Sequence, residues 1–86
     1  MTYHAPVALA AADVSLFADW SRRCRAGSPM LVPVVRALQW LLDDDATTEA
    51  ARQLLELLPD ADLLLPGIDE ALRARVEAYA EVGVEQ

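Results

Sequence analysis

Apolar residues recur at helical spacing along the whole chain. The pattern breaks at four places: Gly27-Ser28-Pro29, Asp43-Asp44-Asp45, the stretch from Pro59 to Gly67, and Gly83. No segment alternates strictly between apolar and polar residues with turn signals at its ends, so no sheet is predicted. The pattern predicts an all-α fold, a small bundle of about four helices over roughly 13–26, 33–43, 46–58 and 68–82.

Each helix has a local rationale. Asp13 is a plausible N-cap, because its carboxylate can accept from backbone N–H groups without helical partners, and the alanine-rich stretch 7–12 before it reads as either already helical or an extended lead-in. Val14, Phe17, Trp20 and Cys24 then share one face. Arg22, Arg23 and Arg25 crowd the last turn, where cations suit the helix dipole, and Gly27 offers a stop. Ser28-Pro29 is a cap followed by a helix-opening proline. Pro33 could not sit deeper in a helix begun there without losing a hydrogen bond, so the second helix is placed from Pro33 with a short turn before it. Three aspartates oppose the dipole at a helix C-terminus and suit the start of the next helix, with Thr47 and Thr48 as alternative caps. The third helix directs Ala51, Leu54, Leu55 and Leu58 inward and stops before Pro59. The stretch Leu57-Leu58-Pro59-Asp60-Ala61-Asp62 is echoed by Leu64-Leu65-Pro66-Gly67-Ile68-Asp69, and 60–65 reads as a single short turn. The fourth helix places Ile68, Leu72, Val76 and Tyr79 inward. Asp69–Arg73 and Arg73–Glu77 form i,i+4 pairs outward, as Arg52–Glu56 does on the third helix.

The second helix carries the main tension. Pro33 to Leu42 contains only two polar side chains, Arg36 and Gln39, and a helix apolar nearly all round must be covered nearly all round. Val34, Val35, Leu38, Leu41 and Leu42 supply an inner face. Trp40 and Ala37 project from a different side and call for a second neighbour. Tryptophan is enriched at interface hot spots, so Trp40 and Ala37 are candidate partner-binding residues.

Composition sharpens this expectation. The apolar share is 55%, above the ~45–50% common in soluble proteins. The single domain has 86 residues, a size that hides only about 60–65% of the surface exposed by the unfolded chain. Sixteen alanines tolerate exposure, whereas the fourteen leucines imply surplus apolar surface at an interface. Residues 1–6 and 84–86 read as flexible ends. Fourteen acidic residues face seven arginines and no lysine, a net charge of −7. That balance disfavours nucleic acid and anionic membranes as partners. The lysine-free composition suggests a GC-rich bacterial genome. No stretch reaches the length of a membrane span, and Met1-Thr2-Tyr3-His4 lacks the positive start of a secretory signal, so a cytoplasmic location is expected. Cys24, alone, forms no internal disulfide and reads as a small buried hydrophobe.

Few residues suggest chemistry. Leu38 to Leu42 and Leu54 to Leu58 both spell LxxLL, which leucine-rich helices produce by chance and which is read as core packing. Asp45, Thr47, Glu49 and Glu56 fall at calcium-loop spacing, but Ala50 stands where the sharp turn needs glycine. His4 has no second ligand at metal-binding spacing and no orienting partner for catalysis. No metal, cofactor or catalytic residue is therefore assigned. The Arg22, Arg23 and Arg25 cluster is the one basic patch and a candidate anchor for acidic groups on a partner. The expectation is a non-enzymatic helical interaction module: an adaptor, small chaperone or regulatory subunit that binds itself or another protein, with a homo-oligomer as the first expectation. The alternative is an acidic inhibitor or antitoxin-like protein occupying a basic site.

Overall fold

The computed structural model describes residues 9–43 and 47–82. Four helices follow in order: α1 (Ala11–Ala26), α2 (Val32–Leu42), α3 (Thr47–Leu64) and α4 (Ile68–Val82), with a 3₁₀ turn at Pro29–Leu31. The fold is the expected all-α bundle, and no strand occurs among the described residues. Consecutive helices pack against one another, most extensively α3 on α4, and α1 meets α4 over a smaller area. The expected ends at 1–6 and 84–86, together with His4, Asp44, Asp45 and Gly83, lie outside the described residues.

The start of α2 follows the proline logic. Ser28 Oγ accepts from the Met30 N–H at 3.1 Å, and Pro29 opens the 3₁₀ turn. Pro33 falls in the first turn of α2, where a missing N–H costs no helical bond. Gly27 ends α1 with a negative φ of -91° rather than a left-handed backbone, its N–H bonded to the Cys24 carbonyl. A Cβ there would come within 3.2 Å of a Leu31 methyl, so glycine lets the turn fold close against α1.

Two expectations about boundaries are corrected. First, α3 does not stop before Pro59 but runs through it to Leu64, absorbing the expected separate turn at 60–65. Leu58 and Ala61, on either side of the proline, are buried, whereas Pro59 is exposed. Packing outweighs the lost hydrogen bond, and a break on the solvent side leaves the orphaned carbonyl open to water. Second, α1 begins at Ala11 with Ala10 as its cap position and no side-chain cap. Asp13 sits inside the first turn rather than capping it.

The inner face of α1 is also rotated from the expected one. Phe17, Trp20, Ser21 and Cys24 are buried, whereas Val14 is 40% exposed. Asp13 takes the position facing α4. Its Oδ1 accepts from Arg75 Nη1 at 3.0 Å, and its Oδ2 accepts from the Tyr79 hydroxyl at 2.6 Å. Tyr79 also packs edge-on against Phe17, with ring centroids 6.3 Å apart. Such a pair adds ~0.5–1.5 kcal/mol beyond its buried area.

The inward residues of α4 and α3 agree with the pattern: Ile68, Leu72, Val76, Tyr79, Ala51, Leu54 and Leu58 are all in the core, with Leu55 partly buried. Asp69 pairs with Arg73 at 2.8 Å and Arg73 reaches Glu77 at 4.0 Å, but no ion pair joins Arg52 to Glu56. Gln39 turns toward α1 and donates to the buried Ser21 hydroxyl at 3.1 Å. This bond tolerates a polar group on α2 between two helices, since both partners are satisfied.

Candidate functional site

The sequence points to Trp40, Ala37, Arg22, Arg23 and Arg25 as partner-binding residues, and the structure does not bring them together. Ala37 is only 2% exposed and belongs to the core with Val34, Leu38 and Leu41. The expectation that it projects outward is corrected: α2 lies between α1 and α3 and so needs two packed faces. Trp40 is partly buried against the core. It lines a shallow cleft with Glu49, Arg52, Gln53, Glu56 and Leu57 of α3, so α3 supplies much of the second neighbour that Trp40 needs.

Two of the three arginines of the cluster are occupied close to home. Arg22 and Arg23 both bond the Asp19 carboxylate, at 3.1 and 2.9 Å. Arg23 also lies over the Trp20 ring, 4.7 Å from its centroid. Arg23 and Arg25 fall in the last turn of α1, where their charge offsets the helix dipole. Cys24, one turn from Trp20, is buried, and burial pushes its thiol above the ordinary range. A raised thiol holds little thiolate and is a poor nucleophile.

An apolar groove is the feature that the sequence reading missed. It lies between the turn leading into α2 and the last turns of α3, has a volume of about 390 Å³, and is lined chiefly by Met30, Pro33, Leu57, Leu63 and Leu64. Leu63 is 82% exposed and Met30 74%, with Leu64 and Val32 also exposed nearby in the chain. Leu57 lines both this groove and the Trp40 cleft, so the two form one strip along the α2–α3 crevice. A signal for it exists in the sequence. Carrying the helical period through Pro59 puts Leu54, Leu58 and Ala61 on the inner face and leaves Leu57, Leu63 and Leu64 off it.

A second cleft, of about 450 Å³, runs along α4 and is lined by Asp62, Asp69, Glu70, Arg73 and Glu77 among others. Most of these charges are already engaged. Asp62 Oδ1 accepts from the Gly67 and Asp69 N–H groups at 2.9 and 3.3 Å, and so caps α4 from the preceding helix. Asp69 and Glu77 flank Arg73. Among the described residues no group of three His, Cys, Asp or Glu is placed to hold a metal ion, and no helix is long and apolar enough to cross a membrane. No protein-family model, curated protein or solved structure matches this chain.

Proposed function

We propose that this chain is a non-enzymatic helical protein–protein interaction module: an adaptor, small chaperone or regulatory subunit that works in an assembly, either with copies of itself or with another protein. The observation that carries this reading is the exposure of Met30 and Leu63 on opposite walls of one apolar groove. Large apolar side chains scattered singly need no explanation, but a contiguous apolar concavity favours occupation. The helices supply a rigid platform for it, because α2 and α3 pack through Leu38, Leu41, Leu54 and Leu58 in the core. The acidic-inhibitor alternative draws less support. Of the acids it would present, around Asp43–Asp45 and Asp60–Asp69, Asp62 and Asp69 are engaged in capping α4 and pairing Arg73, which leaves Asp43 and Asp60 as the exposed acids of those stretches among the described residues.

The test compares wild type with Leu63→Asp by sedimentation, both purified and as recovered from native host extract with whatever stays bound. Wild type is expected to sediment above its 9.4 kDa monomer mass in at least the extract-derived preparation, and Leu63→Asp to lose that assembly while keeping its helical signal. A wild type that is monomeric at high micromolar concentration and emerges from extract alone would remove the reading.

A further inference from the structure

We infer that the α2–α3 strip receives a basic amphipathic helix from another protein rather than a second copy of this chain. This rests on the interaction-module reading and gives its partner a chemistry. Three features carry it: the length of the strip, its anchors and the charge along its edge.

The strip runs along α3 from the Trp40 cleft, which begins at Glu49, to Leu64 at the far end of the groove. At 1.5 Å per residue that is ~22–24 Å, the length of a four-turn helix of about 16 residues. At one end Trp40 and Leu57 are the apolar members of a lining that is otherwise Glu49, Arg52, Gln53 and Glu56, and at the other the lining is mostly apolar, with Leu57, Met30 and Leu63. Apolar anchors at i, i+3, i+4 and i+7 on an incoming helix match a crevice between two helices.

The edge selects the partner's charge. Glu49, Glu56 and Asp60 line the strip on α3, with Arg52 as the cation among them. All three carboxylates are exposed, and none closes an ion pair among the described residues. A second copy docked through the same face would set these acids against their own counterparts, in two chains that each carry a net charge of −7. Like-charge juxtaposition of that kind disfavours a partner, whereas lysines and arginines flanking apolar anchors are drawn in. The apolar floor supplies the attraction that salt does not screen, and the acidic edge supplies the selection that salt does.

The experiment uses the whole chain and two displayed libraries of helical peptides of about 16 residues. Both carry Leu, Ile or Phe at i, i+3, i+4 and i+7. One has Lys and Arg at the flanking positions, and the other has Glu and Asp. Binding is read by calorimetry and by tryptophan emission in a Trp20→Phe background, which leaves Trp40 as the emitter. The basic set is expected to yield saturable binders, with acidic versions of the same peptides at least about tenfold weaker at low salt. Leu63→Asp should abolish binding. The double substitution Glu56→Lys with Asp60→Lys should erase the preference for basic peptides, and both variants should keep the wild-type helical signal because all three positions are exposed. Equal binding of both sets, no binder from either, or binding that survives Leu63→Asp would overturn the proposal. So would a wild-type self-assembly lost on Leu63→Asp. In that case the module reading stands and the occupant of the groove is a second copy.

Discussion

The hydroxyl of Tyr79 donates to Asp13 Oδ2 at 2.6 Å and clasps α4 to the first turn of α1. The same hydroxyl accepts the Ala10 N–H at 3.0 Å, so one side chain satisfies a backbone donor that α1 leaves without a side-chain cap. Because α1 and α4 share little other contact, this cluster carries much of their association.

Tyr79→Phe should therefore destabilise the fold by about 1–2 kcal/mol, the cost of a lost partly buried hydrogen bond and an orphaned N–H, while the packing on Phe17 survives. Chemical denaturation checks this. A change below about 0.5 kcal/mol would mean that water replaces the hydroxyl without penalty.

The same clasp predicts an alkaline limit. Burial first, and then the hydrogen bond to Asp13, raise the Tyr79 phenol above its ordinary value of 10.0. A raised acid favours the folded state while it remains neutral. Its contribution is whole below the unfolded value and disappears as pH climbs through the folded one. Burial raises Cys24 from 9.0 in the same direction. Melting temperature should fall from about pH 9 upward, and Tyr79→Phe should flatten the upper part of that fall. An identical alkaline profile in the variant would show that Tyr79 does not report on folding.

Cys24 should react slowly with a thiol reagent in the native protein and at once after denaturation. It is buried on the inner face of α1, and its raised thiol holds little of the reactive thiolate. Immediate full labelling of the folded chain would contradict that placement.

Pro59→Ala should stabilise the chain by about 1–2 kcal/mol. A proline inside a helix costs ~3 kcal/mol relative to alanine, offset in part by the stiffer unfolded chain it gives. The denaturation midpoint should rise with an unchanged slope. A fall would mean that the seating of Ala61 and Asp62 depends on the proline.

Gly67→Ala should cost about 1–2 kcal/mol although an added methyl would meet nothing within 4 Å. The penalty lies wholly in the backbone, whose φ of 97° side-chain-bearing residues rarely adopt. Asp62→Ala should cost a comparable ~1 kcal/mol by removing the cap on α4. Thermal melts of both variants, with helical content recorded before melting, test the pair. A neutral Asp62→Ala would show that the cap adds nothing.

Local chemistry alone determined a good deal of this protein. The helical class, the start of α2 at its prolines, the stripe from Ile68 to Tyr79 and the Asp69–Arg73–Glu77 ladder follow from spacing and from residues a turn apart. Such interactions are read within a few positions of the chain, so the sequence displays them directly. The tertiary structure decided which neighbour covers each face. Asp13 looks like a cap until Arg75 and Tyr79 are brought beside it, more than sixty positions away in the chain. Ala37 looks spare until α3 closes over a second side of α2. Pro59 looks like a stop until burial of Leu58 and Ala61 outweighs the broken hydrogen bond. Carrying α3 past that proline is what leaves Leu63 and Leu64 standing opposite Met30. The groove thus exists because long-range burial overruled a local signal, and a local signal contains no term for packing between distant parts of the chain.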